Sequence, residues 1–230
     1  MKKIVLFFVA IAATMSAFAQ SPVGTFSVTP KVGINFSNLT GNEFDQVYKS
    51  NLLGDLEASC HYRIGFVVGA EADYQVANRF AVSAGLLYSL QGWERGSSLE
   101  VEGTDTKLED NTKLALGYLN VPILANLYLF KGFAIKAGVQ PGFLLSSKLK
   151  NDVTGTGLAV GLDNHKDDDV KDGCKTFDFS IPVGLSYEFS DGLVLDFRYN
   201  IGLTDVSETE NGKNSVFQVT VGYKLPVFSK

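Results

Sequence analysis

Apolar side chains recur at every second position along most of this chain, in eight separate runs. The first lies in Thr25–Asn38, TFSVTPKVGINFSN, where Phe26, Val28, Pro30, Val32, Ile34 and Phe36 alternate with Ser27, Thr29, Lys31, Gly33, Asn35 and Ser37. A period of two sends successive side chains to opposite faces of an extended strand, so the run predicts a strand with one apolar and one polar face. The pattern returns in Tyr62–Tyr74, Phe80–Leu90, Leu119–Leu129, Phe133–Leu145, Phe177–Phe189, Leu193–Leu203 and Phe217–Leu225. Across all eight runs the apolar face carries no charged residue and no amide.

The connections alternate in length. Val76-Ala77-Asn78-Arg79, Phe130-Lys131-Gly132 and Ser190-Asp191-Gly192 read as tight hairpin turns. Ser37–His61, Gln91–Lys113, Ser147–Lys175 and Asp205–Asn214 read as long polar loops. An even number of roughly ten-residue antiparallel strands, with short turns at one end and long loops at the other, is the layout of a transmembrane barrel. The expected fold is therefore an all-β, eight-stranded up-and-down barrel.

A lipocalin has the same strand count with its apolar face inside, so the direction of the apolar face has to be decided. The polar face carries Lys31, Arg63, Lys136, Arg198 and Lys224 together with Glu71, Asp73, Asp178, Glu188 and Asp196. Five charges of each sign suit mutual pairing inside a narrow barrel, and a basic residue turned into hydrocarbon costs about 2–4 kcal/mol at mid-depth. Aromatic residues gather at both ends of the apolar face. Phe26, Tyr74, Phe80, Phe133, Tyr187 and Phe189 mark the short-turn end; Phe36, Tyr62, Tyr88, Phe143, Phe177, Tyr199 and Phe217 mark the other. Two such belts are expected where a barrel crosses both membrane interfaces, so the apolar face points outward, into lipid. Pro30, Pro122, Pro141 and Pro182 fall inside strand patterns, where each removes a ladder donor, and bulges or strand ends are expected there.

The N-terminus agrees with that destination. Met1-Lys2-Lys3 precedes an apolar run from Ile4 to Met15, and Ala17-Phe18-Ala19 fits the small-x-small cleavage rule. Residues 1–19 are expected to be a signal peptide and residues 20–230 one barrel domain. Removing Lys2 and Lys3 takes the formal charge from −5 to −7. With no basic run, that charge argues against a nucleic-acid partner. Cys60 and Cys174 each precede a strand rising from the long-loop end. A disulfide joins them only if their loops fold over the mouth, because the strand ends lie across the barrel, beyond the roughly 4–7 Å that a bridge tolerates between Cα atoms.

Several stretches carry a family resemblance: PKVGINFSN, RIGFVVGAEADY, YLNVPILANLYL, KAGVQPGF and the C-terminal TVGYKLPVF. Together they resemble the small outer-membrane β-barrel family widespread in Bacteroidetes, the porin-family group labelled PorT-like or outer membrane protein beta-barrel domain. The end of the chain is similar to the signal read by the barrel-insertion machinery, although it finishes on Ser229-Lys230 rather than on Phe228. The resemblance implies the cell outer membrane, with its lipid and lipopolysaccharide, as the environment of a monomer.

An eight-stranded barrel is just wide enough for its own side chains, which leaves the loops to carry function. Asp163–Gly173, DNHKDDDVKDG, is rich in carboxylates but lacks the ligand spacing of an EF-hand, and reads as a solvated acidic loop. His61, near Ser59, and His165 are the only histidines, and neither forms a recognisable catalytic set. The reading is a non-enzymatic envelope protein with no cofactor or metal, plugged by its own side chains. It presents surface loops for interaction, adhesion or envelope integrity. The alternatives are an enzyme acting on outer-membrane lipid and an accessory barrel of a protein-secretion system.

Overall fold

The computed structural model describes residues 21–41, 49–50, 55–100, 107–156, 164–207 and 212–229. They form β1 (Phe26–Thr40), β2 (Lys49–Ser50), β3 (Asp55–Ala77), β4 (Phe80–Glu100), β5 (Lys107–Asn120) and β6 (Ile123–Phe130). The second half adds β7 (Phe133–Thr156), β8 (Asn164–Asp169), β9 (Phe177–Glu188), β10 (Leu193–Asp205), β11 (Lys213–Tyr223) and β12 (Leu225–Phe228).

Hydrogen bonding runs antiparallel from β3 through β4, the β5–β6 pair, β7, β9 and β10 to β11. The sheet closes because β1 pairs with both β3 and β11. Since β5–β6 and β11–β12 each act as one stave, the ring has eight staves in up-and-down order. Closure matters physically: in hydrocarbon a free strand edge would leave its N–H and C=O groups without water to bond.

The alternation sorts side chains as the lipid-facing reading requires. Val32 and its rung partner Val68 are 53% and 45% exposed, whereas Lys31 and Glu71, inward residues on the same two strands, are 5% and 1% exposed. A soluble barrel would show the reverse. Phe26 stacks on Phe228 and Phe130 on Phe133 at the short-turn end; Phe36 meets Phe217 and Phe143 meets Phe177 at the other. From Phe26 to Phe36 the strand advances about 33 Å, which a tilt of roughly 35–45° shortens to an apolar band of about 25 Å.

The four prolines are accommodated without bulges, contrary to one of the two expectations. Leu87 faces Asn120 on β5 and Ala84 faces Ile123 on β6, so the register passes unbroken across the gap at Val121-Pro122. Across that gap Val121 N donates to Pro141 O (2.8 Å) and Gly85 N to Pro122 O (2.9 Å). The carbonyls still bond although both prolines lack a donor. Pro182 sits where the β7–β9 ladder skips two rungs, between Ala137↔Val183 and Gln140↔Ser180, again in constant register. Opposite Pro30, β11 ends and β12 begins.

Three of the expected loops are in good part strand, Ser37–His61 holding the end of β1, β2 and the start of β3. Much of Gln91–Lys113 is a continuation of β4 and β5, paired as far as Glu100↔Lys107, and much of Ser147–Lys175 continues β7 and adds β8 and a short 3-10 turn at Lys171–Gly173. These extensions make a wall of β2, β3, β4, β5, β7 and β8 over one side of the barrel. Ten rungs above Leu90, at about 3.3 Å each, add roughly 30 Å of strand beyond the apolar band. Once a strand enters water its ladder still forms but neither face needs to be apolar, so the period-two signal disappears while the strand goes on.

Candidate functional site

The lumen is organised in layers. At mid-depth Lys31 on β1, Glu71 on β3, Lys136 on β7, and Asp196 and Arg198 on β10 meet across the ring. Lys31 Nζ lies 2.7 Å from Glu71 Oε2 and 3.6 Å from Asp196 Oδ2. Lys136 Nζ is 2.8 Å from Asp196 Oδ2 and 4.0 Å from Glu71 Oε2. Arg198 Nη2 donates to Glu71 Oε1 (2.9 Å) and Asp196 Oδ2 (3.1 Å). All five are buried. Charges this far from solvent are held only where each has opposite charge and hydrogen bonds within reach.

Gly85 makes room for this layer. A Cβ there would come within 2.5 Å of Glu71 Cγ, the side chain directly across the rung.

Nearer the short turns, Lys224 Nζ donates to Glu188 Oε2 (2.8 Å), and Tyr128 Oη lies 3.4 Å from both. Thr29 Oγ1 donates to Asp73 Oδ2 at 3.1 Å. The lumen beside Lys31, Lys136 and Lys224 encloses a cavity of about 10 Å³, space for about one water. On the other side of the mid-depth layer, Thr204 Oγ1 and Asn214 Nδ2 donate to Asp178 Oδ1 at 3.2 and 3.1 Å. Arg63 stands apart from the other nine charges: it is half-buried and donates to Leu114 O at 3.2 Å.

Above Asp178 the lumen becomes apolar. Leu39, Leu114, Leu116, Tyr118, Leu144 and Val206 form a buried cluster inside the barrel, with Trp93, Leu149, Val170 and Cys174 packed against it. Sequence reasoning missed these residues. The signal was their parity: Leu114, Leu116 and Tyr118 share the inward parity of Asn120, and Tyr128 that of Asn126. A register shift at Gly117/Tyr118 also moves the inward position on β7 from the expected Ser146 to Ser147, which is 1% exposed.

The remaining sequence candidates lie around this mouth. Cys174 is a half-buried free thiol with its Sγ 3.5 Å from Ser147 Oγ. Cys60, on β3 and so across the ring from β9, pairs with Arg95 on β4, and its side chain lies outside the described residues. His61 and His165 sit on β3 and β8, paired with Glu94 and Asp152, and their side chains are likewise outside the described residues. The expected acidic loop 163–173 is instead largely β8, laid along β7, followed by the 3-10 turn. Within β8, Lys166 pairs with Asp168 at 2.8 Å. Above the mouth Glu94 and Lys113 form an ion pair on one rung of the wall. The first 20 residues, with the expected signal peptide, are outside the described residues.

Among solved structures, the chain is similar to Ail, the attachment invasion locus protein of Yersinia pestis (14% identity, 89% of this chain and 100% of that chain, TM-score 0.43). It is also similar to Neisserial surface protein A (15%, 87% and 97%, 0.38) and to OprG from Pseudomonas aeruginosa (11%, 91% and 100%, 0.34). No curated protein matches it. The sequence profile of the outer membrane protein beta-barrel domain matches residues 18–208, and the chain belongs to that family.

Proposed function

We propose that this protein is a non-enzymatic outer-membrane barrel whose lumen is closed to solutes. Its strand extensions and loops, on the outer surface, serve cell-surface interaction or envelope integrity. The mid-depth ion layer carries the reading. Arg198 on β10 touches Glu71 on β3, and Lys136 on β7 lies between Glu71 and Asp196, so side chains from opposite walls meet in the lumen. Such a barrel is a rigid mount, and the wall is the part free to differ in shape and chemistry.

In this reading the mature chain begins at Gln20 and crosses as a monomer, lipid and lipopolysaccharide cover the apolar band, and the barrel-insertion machinery reads the C-terminal strand. The strand motifs noted above support a place in the PorT-like group of Bacteroidetes. The non-enzymatic part rests on the scarcity of histidine bases: the only histidines are His61 and His165, on the wall strands β3 and β8.

The test has two arms. Purified protein in planar bilayers is expected to give no steady conductance; stable single-channel openings would refute the closed lumen. A deletion strain is expected to lose detergent resistance or surface binding. Full-length protein should restore it, whereas a variant with residues 96–111 replaced by a tight turn should not. Restoration by that truncated barrel would remove the wall from the account.

A further inference from the structure

The apolar cluster at the outer end of the lumen is the floor of a cup. Its sides come from every quarter of the ring: Leu39 on β1, Trp93 on β4, Leu114 on β5, Leu149 on β7, Val170 between β8 and β9, and Val206 after β10. The cup, open at its top, holds about 260 Å³. Below it, Leu116, Tyr118 and Leu144 are 0–2% exposed and close it towards the ion layer.

This arrangement is unusual for the mouth of a lumen that is polar lower down. A water-facing rim would be expected to carry the polar residues found on the wall immediately above, such as Glu94, Arg95 and Lys113. A concave, closed-bottomed apolar surface with a few polar groups at its rim, here Ser207 and the Cys174 thiol, has the make-up of a small-molecule site. Its size narrows the occupant. A leucine- and phenylalanine-lined cavity of about 150 Å³ holds benzene, so this cup has room for a substituted single ring or a short branched hydrocarbon. The Trp93 indole and the Cys174 sulfur add partners that favour an aromatic ring over an alkane. Among the described residues no charged side chain lines the cup, so none of them would neutralise an ionic ligand.

We propose that the mouth of the barrel is a binding site for small neutral apolar molecules of single-ring aromatic size. The proposal is independent of the surface role of the wall: it requires only the cup.

Trp93 is the chain's single tryptophan, so fluorescence excited beyond the tyrosine absorption band reports this site alone. Folded protein in lipid vesicles, which add no tryptophan of their own, is titrated with bromobenzene, a heavy-atom quencher, and then with toluene, which does not quench. The expected result is saturable quenching with a midpoint on the order of 1 mM or tighter, reversed by toluene. In Leu149→Glu, a half-buried wall position, the midpoint should weaken at least tenfold while the boiled and unboiled gel mobilities stay those of the wild type. As a second readout, Cys174 in a Cys60→Ser background should react with N-ethylmaleimide several-fold more slowly when toluene is present. Quenching that rises linearly and equally in wild type and Leu149→Glu would mean partition into lipid only, and would overturn the proposal. So would a Cys174 alkylation rate that toluene leaves unchanged.

Discussion

Glu71→Gln tests the lumen at its centre. The wild-type mid-depth layer holds three cations, Lys31, Lys136 and Arg198, against two carboxylates, Glu71 and Asp196. Glu71 accepts from Lys31 at 2.7 Å and from Arg198 at 2.9 Å, with Lys136 a further 4.0 Å away. Glutamine keeps the volume and one acceptor oxygen but removes the charge, leaving Asp196 alone among three buried cations. Breaking a buried ion pair from one side typically costs 3–5 kcal/mol, because the abandoned charge has no water to return to. The retained acceptor places this variant near the lower end, about 3 kcal/mol, or more than a hundredfold in the folding equilibrium. Reversible urea unfolding in lipid vesicles, followed by gel mobility, measures the change. Adding Lys31→Met restores the original excess of one cation, so the double variant should be more stable than the sum of the single losses by over about 1 kcal/mol. A loss below about 1 kcal/mol for Glu71→Gln, or simple additivity in the double variant, would refute the coupled layer.

Three further expectations use the same unfolding assay. Val68→Arg, on the lipid face opposite Val32 at mid-depth, should cost about 2–4 kcal/mol, and a smaller loss would mean that this position does not face hydrocarbon. Gly85→Val should cost about 1–3 kcal/mol by overpacking against Glu71, and the Gly85→Val/Glu71→Ala pair should recover part of that loss; no recovery would remove the packing explanation. Pro122→Ala should change stability by less than about 1 kcal/mol, since the ladder is already interrupted there in constant register. A gain well above that would show that the missing donor strains the barrel.

The sequence was most informative where lipid imposed a rule. Within the apolar band, hydrocarbon excludes charge and amide from one face, so Val32, Val68, Ile181 and their kin announce both the strand and its direction. The ten charged residues of the opposite parity were legible for the same reason, but their partners were not. Arg198 meets Glu71 through 127 positions of sequence separation, a juxtaposition created by ring closure and tilt rather than by any local pattern. Above the band, water accepts either face, and strands such as Gln91–Glu100 read as loop. The apolar cup was hidden differently: Leu114, Leu116 and Leu144 look like lipid-facing residues by type, and only their parity shows that they point inward. The constant register across Pro122 and Pro182 had no sequence signal, because the compensation lies in missing rungs of the ladder between strands.

The central claim is that the apolar face meets lipid and the charged face meets the lumen. Spin labels placed one at a time along β9, in a chain with Cys60 and Cys174 replaced by serine, measure this rung by rung. The account predicts high oxygen accessibility at Ile181, Val183 and Leu185 and low accessibility at Ser180, Gly184 and Ser186. Accessibility that fails to alternate, or that is high at the second set and low at the first, would contradict it.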